Sequence, residues 1–277
     1  MSTTPPELPR NEIPAASSLS DVPSFQTAAP PEPWRLRDLG FFIAYAIFTL
    51  VFAPLLMLLI YAIVQPMAHW KMTATAAATN PIFLVSAQAL SYVMILLFIY
   101  VLVGVHYGLP FWSALKWRKM GWRRGLRLFA AGILMAFGVL GASALVPDKK
   151  PFPLEQMFNS PAAAYTVAAF AILIAPFMEE LIFRGVLFTF FERHAGLRFA
   201  VISTALLFAA LHVPEYWGAW THALLILVVG VVFSLTRGWT DSLVPSIILH
   251  VAYNTCLMTL LFFGTHHFRS IEAAVVR

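Results

Sequence analysis

Apolar residues run along this chain in long blocks, broken by short stretches that carry Pro, Gly, Trp and charge. Several blocks approach or exceed the ~20 apolar residues needed to cross a hydrocarbon core about 30 Å thick. The pattern predicts spans at residues 39–64, 81–103, 126–146, 162–191, 199–212, 219–235 and 243–264, the fifth of them short. The expected fold is all-α, a polytopic transmembrane helix bundle of about seven spans, with a range of six to eight. Ahead of the first span, residues 1–34 are rich in Pro, Ser, Thr and Ala. That composition predicts a disordered cytoplasmic tail, with neither the basic n-region nor the apolar h-region of a signal peptide. Residues 35–277 are then the polytopic membrane domain.

Composition strengthens this reading. Of 277 residues, 60% are hydrophobic and 11% charged, whereas a soluble domain is roughly half apolar and a quarter charged. A net charge of +5 would suit nucleic acid in a soluble protein, but the basic residues lie in loops beside the apolar blocks, so they report topology and no nucleic-acid partner is expected. The segment KWRKMGWRRGLR, with Lys116, Arg118, Lys119, Arg123, Arg124 and Arg127, separates the second and third spans. The positive-inside rule places it in the cytoplasm. The N-terminus is then cytoplasmic and the C-terminus outside, with Arg35, Arg37, Arg193, Arg198 and Arg237 on the cytoplasmic side. The expected location is the cell inner membrane, multi-pass, with Trp112, Trp117 and Trp122 anchoring an interfacial segment. The single cysteine, Cys256, permits no intramolecular disulfide and no thiolate metal cluster.

Against this background the fourth block is anomalous. In APFMEELIFRG, Glu179, Glu180 and Arg184 interrupt an apolar run, and each ionised carboxylate at mid-membrane costs about 2.5–3.5 kcal/mol on insertion scales. On an α-helix Glu180 and Arg184 are about 40° apart around the axis and pair as i and i+4. Glu179 is rotated by about 100° from Glu180 and about 140° from Arg184, so it needs another partner. Pro176, three residues earlier, disfavours a straight helix there.

Two histidines lie at comparable depth. Phe208 and His212 share one helix face, one turn apart, and so do His250 and Asn254. At a rise of 1.5 Å per residue, Glu179 lies roughly 16–18 Å from the cytoplasmic end of its span, His212 about 20 Å and His250 roughly 11–12 Å. The three segments can meet near mid-membrane. A carboxylate, two imidazoles and a carboxamide converging there meet the requirements for activating water: a general base, a second base or metal ligand, and donors to an oxyanion. Taken singly, each polar residue also fits a helix-packing hydrogen bond, and Glu215, Tyr216 and His222 are read as turn, interface and packing residues.

The set Glu179-Glu180-x-x-x-Arg184, Phe208-x-x-x-His212 and His250-x-x-x-Asn254, in that order, resembles the CAAX-protease and bacteriocin-processing family of intramembrane proteases. The resemblance spans residues 162–264, which become the expected catalytic core. It implies an endopeptidase that hydrolyses a peptide bond of a membrane-associated protein or peptide. Glu179 and His212 would activate water, and His250 with Asn254 would stabilise the oxyanion or complete a metal site. Glu180, Arg184 and Phe208 would be supporting motif residues. Two mechanisms stay open: a zinc ion held by Glu179, His212 and His250, in keeping with the metalloprotease name of the family, or glutamate and histidine without metal. Competing readings are a proton-coupled or small-solute transporter and a non-catalytic immunity or assembly protein.

Overall fold

The computed structural model describes residues 33–145 and 153–269. The tail expected over 1–34 lies, up to residue 32, outside the described residues. Among the described residues all regular structure is helical: α1 (Leu36–Met67), α2 (Ala74–Ala78), α3 (Pro81–Tyr100), α4 (Phe111–Ala114), α5 (Trp122–Leu145), α6 (Pro161–Leu173), α7 (Ala175–Glu180), α8 (Phe188–His212), α9 (Trp220–Thr240) and α10 (Leu243–Gly264). A π-helical turn, Val101–His106, continues α3, and a second, Leu181–Leu187, joins α7 to α8. Six helices are long and apolar enough to cross a membrane, one of them the 52-residue run Pro161–His212. That run is broken at Gly196, at φ 81° and ψ 172°, a conformation essentially confined to glycine. The break falls between the fourth and fifth expected spans, so the run supplies two of the seven.

Local chemistry sets the helix starts. Asn80 caps α3 by accepting from the amides of Ile82 and Phe83, with Pro81 in the first turn. Ser160 caps α6 by accepting from Ala163, with Pro161 following. Proline suits these positions because the first-turn N–H groups have no intrahelical partner. Pro176 does the same work inside the bundle. The helix breaks at Ile174, with φ −108°, and Pro176 opens α7 in place of kinking a continuous helix, since in a first turn its ring meets no preceding carbonyl and its missing N–H costs no helical bond.

Packing then builds the frame. α8 lies on α9, α10 on α5, and α3 on both α1 and α6. Close approach depends on small residues: a Cβ at Gly132 on α5 would fall 2.5 Å from the Leu249 carbonyl oxygen and 2.7 Å from the Ala252 Cβ on α10. Such contacts are how membrane helices pack without a hydrophobic drive between them. Large apolar side chains elsewhere face outward, among them Phe41, Leu55, Leu134 and Leu206.

The basic loops gather at one end of the bundle. Lys116 and Arg118 pair with Asp241 at the turn between α9 and α10, and the Leu243 amide donates to the Lys116 carbonyl at 3.0 Å. Arg193 donates to the Pro33 carbonyl at 3.0 Å, and Tyr107 bonds Asp38. Burial pushes the Asp241 carboxyl up, but the charges of Lys116, Arg237 and Arg118 outweigh it and hold the group below the usual carboxylate range. Arg237 shares this end, yet it is fully buried in the last turn of α9 and not a solvated loop residue. It donates to the Arg184 carbonyl (3.2 Å), Thr189 Oγ1 (3.3 Å) and Asp241 Oδ1 (3.3 Å), which is how a buried guanidinium is tolerated.

Candidate active site

Glu179 and Glu180 end α7, immediately before the π-helical turn. Such turns widen the helix and recur at functional sites. Glu180 and Arg184 have no exposed surface, and Arg184 Nη1 donates to Glu180 Oε1 at 2.9 Å, the i,i+4 pair the helical angle demanded. Arg184 Nη2 donates to the Gly230 carbonyl on α9 at 2.9 Å. Its guanidinium lies over the Phe208 ring at 4.7 Å and the Phe233 ring at 5.4 Å. Gly230 permits this: a Cβ there would meet both the Ala205 Cα and Phe208 at 3.3 Å. Glu180 Oε2 and Arg184 Nε are buried without a hydrogen-bond partner.

The pair is not self-contained. His250 on α10 is 4% exposed, and its Nδ1 lies 3.0 Å from Glu180 Oε1. With Nδ1–H donating to that carboxylate, Nε2 is turned toward Glu179, 3.7 Å from its Oε2. His250 thus bridges the two adjacent acids that a helical wheel separates. Its ring stacks on Phe233 at 4.6 Å and meets Phe208 edge to face at 5.9 Å.

Phe208 also lies beside His212, ring centroids 4.5 Å apart. His212 is half-buried, and its Nδ1 is 2.7 Å from the Phe208 carbonyl oxygen. That contact makes Nδ1 the protonated nitrogen and Nε2 the basic one. Phe208 therefore separates the two imidazoles and fixes the rotamers of both, a larger part than the packing role expected of it. Asn254, one turn beyond His250, donates from Nδ2 to the Ala171 carbonyl at 2.7 Å, where α6 gives way to α7. A carboxamide carries a second N–H on that nitrogen.

Glu179 differs from Glu180 in every respect that matters for chemistry. Its side chain keeps 15% exposure, and its Oε1 accepts a 3.2 Å hydrogen bond from the Tyr92 hydroxyl on α3. Sequence reasoning missed Tyr92, which lies 87 residues away in a span that carries no motif. Glu215, in the loop after α8, interacts electrostatically with both His212 and Glu179. Beside it, Tyr216 stacks on His222 at 5.6 Å, and His222 Nε2 lies 3.1 Å from Ser143 Oγ, the packing role its position suggested.

The donors do not make a ready metal centre. A catalytic zinc takes three protein ligands and keeps one open position, and among the described residues no three of His, Cys, Asp or Glu gather closely enough to hold an ion. His250 Nδ1 and Glu179 Oε1 are already engaged by Glu180 and Tyr92.

Comparison with curated proteins and with solved structures found no match. Comparison with protein families gave one, to the family described as Rce1-like, type II CAAX prenyl endopeptidase Rce1-like, over residues 161–256. The matched segment runs from the first residue of α6 to just beyond Asn254 and takes in Glu179, Glu180, Arg184, Phe208, His212, His250 and Asn254.

Proposed function

We propose that the chain is an intramembrane endopeptidase that hydrolyses a peptide bond of a membrane-associated protein or peptide by attack of activated water. One observation carries the reading: of two adjacent intramembrane acids, Glu180 is consumed by Arg184 and His250, while Glu179 keeps one oxygen facing the His250 Nε2 and part of its surface open. Glu179 takes the proton of the attacking water and yields it to His212, whose Nε2 gives it to the leaving amine, which returns Glu179 to its ionised form. His250, carrying a proton on each ring nitrogen, and the second N–H of Asn254 donate to the oxyanion. Arg184 holds Glu180 in place.

The family description supplies a substrate class to try first, a prenylated CAAX peptide. The basic end of the bundle, with Lys116, Arg118 and Arg193, faces the cytoplasm in this reading, in an inner membrane. The test uses purified protein and an internally quenched CAAX peptide, farnesylated and unmodified, beside a survey of membrane-protein termini in cells. Wild-type protein cleaves, and Glu179→Gln abolishes cleavage while folding normally. Wild-type rates from Glu179→Gln, or proton-gradient-driven solute uptake with no peptide product, overturn the proposal.

A further inference from the structure

The segment that matches the Rce1-like family does not complete the candidate site by itself. Tyr92 comes from α3, outside residues 161–256, and its hydroxyl donates to Glu179 Oε1 at 3.2 Å. The ring is 8% exposed and lies flat on Phe170 of α6, centroids 5.8 Å apart and planes 9° apart. Ala175 and Met178 of α7 complete the cluster around it. The ring is therefore held from the segments that lead into Glu179, and the hydroxyl has a fixed aim.

We infer that Tyr92 is a positioning residue for Glu179, so that α3 belongs to the catalytic apparatus. A carboxylate presents two oxygens and rotates about its last bond with little resistance. Tyr92 ends that freedom by engaging Oε1, which leaves Oε2 on the side of His250 Nε2, 3.7 Å away. A base held in one orientation meets the water proton in the reactive geometry on each encounter, and loss of such positioning is read in kcat. Nothing in this role requires the hydroxyl to touch the substrate.

The inference rests on Glu179 being the base, and the experiment separates the two. Cleavage of the quenched CAAX peptide is measured for wild type, Tyr92→Phe and Glu179→Gln, with thermal midpoints of each purified protein. Tyr92→Phe keeps the ring on Phe170 and loses only the donor; kcat falls by about 10- to 100-fold, less than the roughly 100- to 10,000-fold that a proton-transfer group itself contributes because the base is still present, with KM and midpoint unchanged. The unnatural residue 4-aminophenylalanine at position 92 restores an N–H donor and recovers most of the rate. Where Tyr92→Phe does not survive purification, 4-aminophenylalanine is compared with 4-methylphenylalanine, which matches its size and has no donor. The inference is overturned if the donor and non-donor residues give the same kcat, or if KM alone moves. Inactive Glu179→Gln beside fully active Tyr92→Phe removes this inference alone; active Glu179→Gln removes the proposed mechanism itself.

Discussion

Arg184→Met strands a charge in the middle of the bundle. The substitution deletes the 2.9 Å ion pair with Glu180 and the 2.9 Å bond to the Gly230 carbonyl, while methionine fills the space among Phe183, Phe208 and Phe233 that the guanidinium covers. Glu180 keeps His250 as its cationic partner, and its Oε2 lies buried without a geometric hydrogen bond. Breaking a buried pair by removing one member costs about 3–5 kcal/mol. At about 2–4 °C per kcal/mol for a protein of this size the thermal midpoint falls by roughly 10 °C. Cys256 supplies the assay, because it is the single cysteine of the chain and sits half-buried on α10, so a thiol-reactive dye reports when the bundle opens. Adding Glu180→Gln to Arg184→Met removes the stranded charge and recovers about half of the loss. A midpoint for Arg184→Met within about 2 °C of wild type, or a double variant less stable than the single, refutes the account of Glu180 as a buried anion held by Arg184.

Three further outcomes follow from the same geometry. Gly132→Ala puts a Cβ 2.5 Å from the Leu249 carbonyl oxygen; overpacking against backbone costs about 1–3 kcal/mol, so the midpoint drops, and activity with it, because Leu249 precedes His250. Asp241→Asn loosens the Lys116, Arg118 and Arg237 contacts at the basic end. The Asp241 carboxyl is held below its ordinary value in the folded protein, so its contribution is present above that ordinary value and lost as pH falls through the depressed one. The variant is therefore less stable than wild type at neutral pH, and the two midpoints converge in acid and in high salt. His212→Ala, which removes the proposed proton carrier and leaves the Glu180, Arg184 and His250 network intact, lowers kcat by about 100-fold or more at unchanged midpoint; a matching loss of midpoint would mark His212 as structural.

How much of this was legible beforehand depends on the range of each interaction. The spans follow from composition over about 20 residues, and the break between the fourth and fifth is marked by Gly196, whose backbone only glycine adopts readily. The Glu180–Arg184 pair was readable because both partners lie within one helical turn. The motif spacing singled out Glu179, His212, His250 and Asn254 for the same reason, each beside a second polar or aromatic residue on its own helix. The basic end was readable too, since charge next to a span is a local property of the chain. Arg237 was placed by its sequence at the basic end, but its burial was not legible there, because its partners Thr189 and the Arg184 carbonyl come from elsewhere in the chain.

What tertiary structure alone decided are the contacts between helices. Tyr92 on Glu179 joins residues 87 apart, His250 on Glu180 residues 70 apart, and Asn254 on Ala171 residues 83 apart. A sequence specifies which face of each helix is polar, but rotation and depth are set by side chains interlocking across the interface, here at Gly132 and Gly230. The sequence by itself determined that the membrane would hold two acids, a base and two histidines. Only the packing of α3, α7, α8 and α10 decided that His250 bridges both acids and that Glu179 is the one left with an oxygen to use.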